Sequence, residues 1–143
     1  MKLLNVLTVF AFSGLLLTAC TTSSSSVGIV NKNKSSLYNT NWKLVEDDEL
    51  VKGYNAEDVY FSIDRNEFKV TGFGGCNQFN SNVALDGNNI KFSPIASTKM
   101  LCPTSTVEDS FLNMLKDVTR YEIKENVLYF YKGNLLLLKF KNQ

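Results

Sequence analysis

Thr71-Gly72-Phe73-Gly74-Gly75-Cys76-Asn77-Gln78-Phe79 is the stretch on which the reading of this chain turns. Gly72, Gly74 and Gly75 crowd together just after the apolar Val70. A phosphate-cradling loop also needs glycines, but no Gly-Lys-Ser/Thr follows and no helix pattern opens here, so nucleotide binding is not indicated. The glycines instead mark a place where the backbone turns sharply, or passes close to another segment, at the end of a strand. Asn77 then has two readings. Its amide orients a substrate, or it hydrogen-bonds local backbone and holds the turn.

Moving outward, the pattern on both sides is that of short strands. Trp42 and Leu44 alternate with polar neighbours, as do Val59, Phe61 and Ile63. Phe68 and Val70 continue the alternation after the turn-like Asp64-Arg65-Asn66. Residues 82–85 and 89–92 flank Asp86-Gly87-Asn88, a hairpin signal because Asp-Gly tolerates the left-handed backbone of tight turns. Residues 120–123, 127–131 and 135–140 read as three strands, separated by Glu125-Asn126 and Lys132-Gly133-Asn134. One segment changes period. Val107, Phe111, Met114, Leu115 and Val118 recur at helical spacing, a stripe that packs on the sheet or, in the rival reading, binds a partner. Thr106 with Asp109 resembles a capping box, Glu108 and Asp109 suit the positive helix start, and Pro103 fits its approach. The expected domain, residues 37–143, is α+β and mostly β: an antiparallel sheet of seven or eight short strands with one helix across it.

Composition narrows the chemistry. The chain has 143 residues, 44% apolar and 20% charged, ordinary globular proportions. Fifteen Lys/Arg against fourteen Asp/Glu give no general attraction for nucleic acid. There is no histidine, which removes Ser-His-Asp and Cys-His catalysis and zinc sites that need imidazole. No cofactor and no metal are expected. The acidic run Glu46-Asp47-Asp48-Glu49 offers carboxylates for a weak calcium site, against the reading of a solvated loop. Thr98 and Lys99 have the residue types of a nucleophile and its base, but Lys99 would need burial to act. No catalytic residue is assigned, and the chain is expected not to be an enzyme.

The N-terminal stretch reads as an address. Lys2 precedes an apolar run over 3–17 that is too short for a spanning helix, which needs about 20 apolar residues. Leu17-Thr18-Ala19-Cys20 resembles the lipobox of bacterial lipoprotein precursors. That resemblance implies cleavage after residue 19 and a diacylglycerol thioether on Cys20, with Thr21 favouring the outer membrane. Residues 20–36, serine at 23, 24, 25, 26, 35 and 36, form the lipidated Cys and a tether spanning about 22 Å as a coil. In an oxidising compartment Cys76 and Cys102 are expected to pair, ahead of a metal or redox pair that lacks histidine and a Cys-x-x-Cys spacing. The bridge would contribute on the order of 3.5 kcal/mol by loop-closure entropy.

The sequence further resembles the META domain, in particular the HslJ family of bacterial outer-membrane lipoproteins, over about 40–140. The similarity is carried by Trp42-Lys43-Leu44, by Val70-Thr71-Gly72-Phe73-Gly74-Gly75-Cys76-Asn77-Gln78-Phe79, by Ile95-Ala96-Ser97-Thr98-Lys99-Met100-Leu101-Cys102, and by a helix with Phe111 and Leu115. Gly72, Gly74, Gly75, Asn77, Thr98 and Met100 are the motif positions. Ser81, Asn82 and Leu101 depart from the family's usual residues, which bears on local packing. The resemblance implies a strongly bent, barrel-like sheet with a helix, and a link to heat or envelope stress. It implies no catalytic residues. The leading expectation is thus a non-enzymatic envelope lipoprotein that binds a protein partner. The alternative is a carrier of a small apolar ligand inside the sheet, lined by aromatics such as Phe61, Phe68, Phe73, Phe79, Phe92, Tyr121, Tyr129 and Phe130.

Overall fold

The computed structural model describes residues 35–103 and 106–142. The expected leader (1–19), Cys20, most of the tether and the Thr106 half of the capping pair lie outside the described residues and side chains. Ten strands and one helix follow in order: β1 (Trp42–Glu46), β2 (Glu49–Leu50), β3 (Tyr60–Ile63), β4 (Lys69–Phe73), β5 (Gln78–Asp86), β6 (Asn89–Phe92), β7 (Ala96–Ser97), α1 (Thr106–Asp117), β8 (Arg120–Lys124), β9 (Val127–Lys132) and β10 (Leu135–Asn142).

Period-two alternation drives the architecture. On β5, Phe79, Ser81 and Val83 are buried while Gln78, Asn80 and Asn82 face solvent. A sheet with one apolar face can bury it by curling on itself, which also removes its edges. Here β1 pairs with β3 on one side and β10 on the other, so β1, β10, β9, β8, β6, β5, β4 and β3 close an antiparallel barrel. Eight closed strands with a helix fulfil the α+β, mostly β expectation and the barrel-like bend that the resemblance implied. The short β2 and β7 are additions, paired to β1 and β5.

Four closing turns are two residues long. Asp47-Asp48, Gly87-Asn88, Glu125-Asn126 and Gly133-Asn134 link paired strands, and the first residue of each has positive φ. The alternating strand directions place turns 47–48, 74–77 and 133–134 at one end of the barrel, where the β6–α1–β8 connection also runs. The other end holds turns 64–67, 87–88 and 125–126 and receives the chain at Ser35, whose N–H donates to Glu125 O at 3.1 Å.

The interior is full. Trp42, Phe61, Phe111, Phe130 and Phe140 are all buried. Phe61, Phe130 and Phe140 lie with ring centroids 4.9–5.5 Å apart, and Phe92 packs on Phe130 at 5.7 Å. Trp42 donates its ring N–H to Leu37 O at 3.2 Å, satisfying the one polar atom that this ring carries inside. On α1 the apolar stripe packs as the sheet-facing reading required. Phe111 and Leu115 are buried, and Phe111 touches Phe79 (5.7 Å) and Phe140 (6.2 Å).

Phe68 breaks its expected alternation. It has φ 52° and is 44% exposed, packing edge-on against Tyr38 at 6.2 Å. The Asp64 carboxylate accepts the N–H groups of Asn66 and Glu67, tightening the turn so that the chain leaves it through Phe68 in a left-handed step and β4 starts at Lys69.

Candidate functional site

Strand β4 delivers the chain to a place where backbones approach closely. A Cβ on Gly72 would sit 2.2 Å from Tyr60 O on the neighbouring strand, so no side chain fits there. Gly75 takes φ +126°, a backbone that L residues rarely adopt. Its carbonyl accepts the N–H of Tyr54, at a 3₁₀ turn (Tyr54–Ala56), and a Cβ on Gly53 would lie 2.2 Å from that same oxygen. Gly74 N–H donates to Asn77 O at 2.9 Å, which folds residues 74–77 into a compact turn.

That turn wraps a carboxylate. Glu108, in the first turn of α1, is only 7% exposed. Its Oε2 accepts the N–H of Cys76 at 3.0 Å and also the N–H of Asn77, while Oε1 accepts Asn77 Nδ2 at 3.1 Å. A buried carboxylate is costly unless its oxygens are hydrogen-bonded, and here both are. The sequence reading gave Glu108 only a helix-dipole role. A signal was present: it stands six positions after Cys102, so a bridge from Cys102 to Cys76 brings it within reach of the Gly-Cys-Asn turn.

Asn77 is the hub. Its Oδ1 accepts Thr98 Oγ1–H at 2.9 Å and Met100 N–H at 2.7 Å. Its Nδ2 donates to Glu108 and, at 3.4 Å, to Met100 O. Two lone pairs and two N–H groups are the whole capacity of the amide, and all four are used. The amide is thus committed to its own chain, but its partners Thr98, Met100 and Glu108 lie on segments 21 to 31 residues away rather than on the local backbone of the turn. Cys76 and Cys102 are bridged, Cα–Cα 6.2 Å, closing a separation of 26 residues. Asn77, Thr98, Met100, Gly74, Gly75 and both cysteines thus converge on one cluster, while Gly72 sits just below it on β4.

The remaining candidates lie apart. Asp47 and Asp48 form the β1–β2 turn (φ 48° and 66°), so the acidic run is a tight hairpin rather than an open loop. Asp48 binds Lys139 at 2.6 Å and Lys141 at 3.4 Å. The hydrogen bond from Lys139, then the charges of Lys139 and Lys141, hold its carboxyl below the usual aspartate value of 3.8. Among the described residues no three His, Cys, Asp or Glu side chains converge to hold a metal. Lys99 is exposed. Tyr129 faces outward, stacked on Tyr131 at 6.5 Å, and Arg120 lies 3.9 Å over the Tyr131 ring. An open space of about 620 Å³ lies between α1, β1 and β10, lined by the core residues Leu44, Phe111 and Leu138 together with Val51, Val107, Met114 and Leu136 among others.

With this geometry in place, comparison with known proteins is informative. Residues 35–143 match the family model of the META domain. The chain belongs to the META domain family. No curated protein matches it. Among solved structures, the META fold seen here is similar to an NMR structure of a protein from Burkholderia xenovorans, with TM-score 0.58 and 20% identity over 75% of this chain and 83% of that one. A second NMR structure aligns at TM-score 0.55 and 18% identity, covering 71% and 87% of the two chains. A crystal structure of a DUF4847 family protein from Bacteroides vulgatus aligns at 0.52 and 16%, covering 73% and 93%. Likeness at these identities concerns the fold alone. Of the residues singled out in the META resemblance, Gly74, Gly75, Cys76, Asn77, Thr98, Met100 and Cys102 meet Glu108 in the cluster, while Gly72 lies just below it.

Proposed function

We propose that this META-domain chain works as a non-enzymatic lipoprotein of the bacterial cell envelope, tethered to the outer membrane through Cys20, that supports stress tolerance by binding a protein partner. The observation that carries the non-enzymatic part is the inward satisfaction of the cluster. Every polar group of Asn77 is engaged with its own chain, and both Glu108 oxygens are spent on Cys76 and Asn77. Groups so committed brace a surface; they are not poised to meet a substrate. The interior-carrier reading ranks second, because a ligand among the rings would have to displace Phe61, Phe130 and Phe140. The envelope reading is supported by the lipobox at 17–20, the serine-rich tether and the Cys76–Cys102 bridge, which suits an oxidising compartment.

Intact-mass analysis of the membrane fraction tests the anchor. The expected species begins at Cys20 and carries diacylglycerol there, and Cys20→Ser accumulates as an unprocessed, unacylated precursor. An unmodified full-length wild-type chain in cytoplasmic extract would overturn the reading. A strain lacking the gene is expected to survive heat or envelope stress less well, with rescue by the wild type and not by Cys20→Ser.

A further inference from the structure

Six large apolar side chains are exposed among the described residues: Tyr54, Phe68, Met100, Leu101, Leu135 and Leu136. Strand direction sorts them. Phe68 lies at the end where Ser35 brings in the chain, and the other five lie at the opposite end, with the Cys76 turn or the β9–β10 hairpin. Leu101 is 99% exposed, as open as in an unfolded chain. An exposed leucine on a loose loop would need no explanation. This loop is held on both sides. Thr98 N–H donates to Gln78 O at 3.0 Å, Asn77 Oδ1 grips Thr98 Oγ1–H and Met100 N–H, and Cys102, the residue after Leu101, is bridged to Cys76. Tyr54 is fixed to the same turn through its N–H bond to Gly75 O.

We infer that Lys99, Met100 and Leu101, with Tyr54 beside them, form a pre-ordered docking tip for a partner protein that presents an apolar socket edged by carboxylate side chains. Ordering a flexible apolar loop on binding costs conformational entropy, and here the fold has already fixed the loop, so that cost is small. Met100 and Leu101 are adjacent exposed apolar side chains, and the neighbouring Lys99 ammonium, also exposed, favours an acidic border. The position argues against the bilayer as occupant. The described chain starts at Ser35, at one end of the barrel, whereas the tip crowns the other end. The inference rests on the envelope reading above and supplies the surface by which that reading's partner is bound.

The test places a photo-crosslinking amino acid at position 101 of the full lipidated chain in living cells, with the same probe at position 68 as control. Both side chains are exposed, so thermal midpoints should stay near wild type. The expected result is one adduct of discrete mass with a second polypeptide from position 101, none from 68, and at least fivefold less adduct when Lys99→Glu is added. No adduct, equal adducts from both positions, an adduct with lipid only, an adduct of twice this chain's mass, or indifference to Lys99→Glu would each overturn it. Fractionation and intact mass of the same samples separate the two claims. Acylated protein in the membrane without the adduct defeats the docking tip alone, whereas unacylated cytoplasmic protein defeats the envelope reading.

Discussion

At the scale of single residues, Asn77 and Glu108 show how a buried polar group earns its place by leaving nothing unpaired. Removing one partner strands the others, and a stranded buried donor costs more than a mean hydrogen bond contributes. Asn77→Ala takes away the acceptor of Thr98 Oγ1–H and Met100 N–H and one of the three donors to Glu108. The expected loss is about 2–4 kcal/mol, read as a lower denaturant midpoint at unchanged slope. A variant within about 0.5 kcal/mol of wild type would mean that water replaces the amide freely, contrary to the burial of this site. The importance of Asn77 was legible from its place after three glycines, but its partners were not. Side-chain bonding to residues 21 to 31 positions away is fixed by the barrel and the bridge, and no local pattern encodes it.

Among the elements, hairpins are the most legible because a two-residue turn is a local event. Gly87-Asn88, Glu125-Asn126 and Gly133-Asn134 all stood out as breaks between apolar runs and all became turns. Asp47-Asp48 was masked by its charge, although aspartate tolerates the left-handed region better than most residues. Its structure gives it a role across elements, tying the β1–β2 turn to β10. Because Asp48 is held below its ordinary value of 3.8, the stabilisation exists above that value in the folded chain and is lost as pH falls through the depressed one. Lys139, raised above 10.5 chiefly by the hydrogen bond to Asp48, extends the same contribution to alkaline pH. Asp48→Asn, which keeps a residue suited to positive φ, should lower the thermal midpoint slightly at pH 7, with the gap closing at about pH 2 and shrinking in salt. A gap that persists unchanged in acid would place the effect in the turn backbone rather than in the charge. The Cys76–Cys102 bridge is the other tie between elements. Replacing both cysteines with serine should cost on the order of 3.5 kcal/mol in denaturant titrations, and reductant added to the wild type should approach the same midpoint. A wild-type curve indifferent to reductant, with a variant curve overlying it, would show that the Asn77–Glu108 bonds alone fix the loop.

For the whole molecule, the barrel-like bend was legible only through the family resemblance, since the pairing of β1 with β10 joins residues about a hundred positions apart through register that no local alternation specifies. Closure also distributes strength unevenly. β9 and β10 share a ladder of six residue pairs, and β4 and β5 share five. By contrast β6 meets β8 at a single register pair, Asn89 with Arg120, flanked by Ile90 N–H donating to Thr119 O and Tyr121 N–H donating to Asn88 O. β6 runs on toward the helix while most of β8 extends past the Gly87-Asn88 turn, so the two strands overlap only at their ends. A ladder this short opens by breaking two bonds, without exposing the ring cluster around Phe130 and Phe140, which is held by β9 and β10 themselves. Local opening should therefore cost less here than global unfolding. In native-state hydrogen exchange the amides of Ile90 and Tyr121 are expected to exchange at least about tenfold faster than the hydrogen-bonded amides inside the β9–β10 ladder. Adding denaturant should bring the two sets together only as global unfolding takes over. Equal protection at zero denaturant would show that the barrel opens as one cooperative unit, with α1, through Phe111 and Leu115, clamping the seam from the interior.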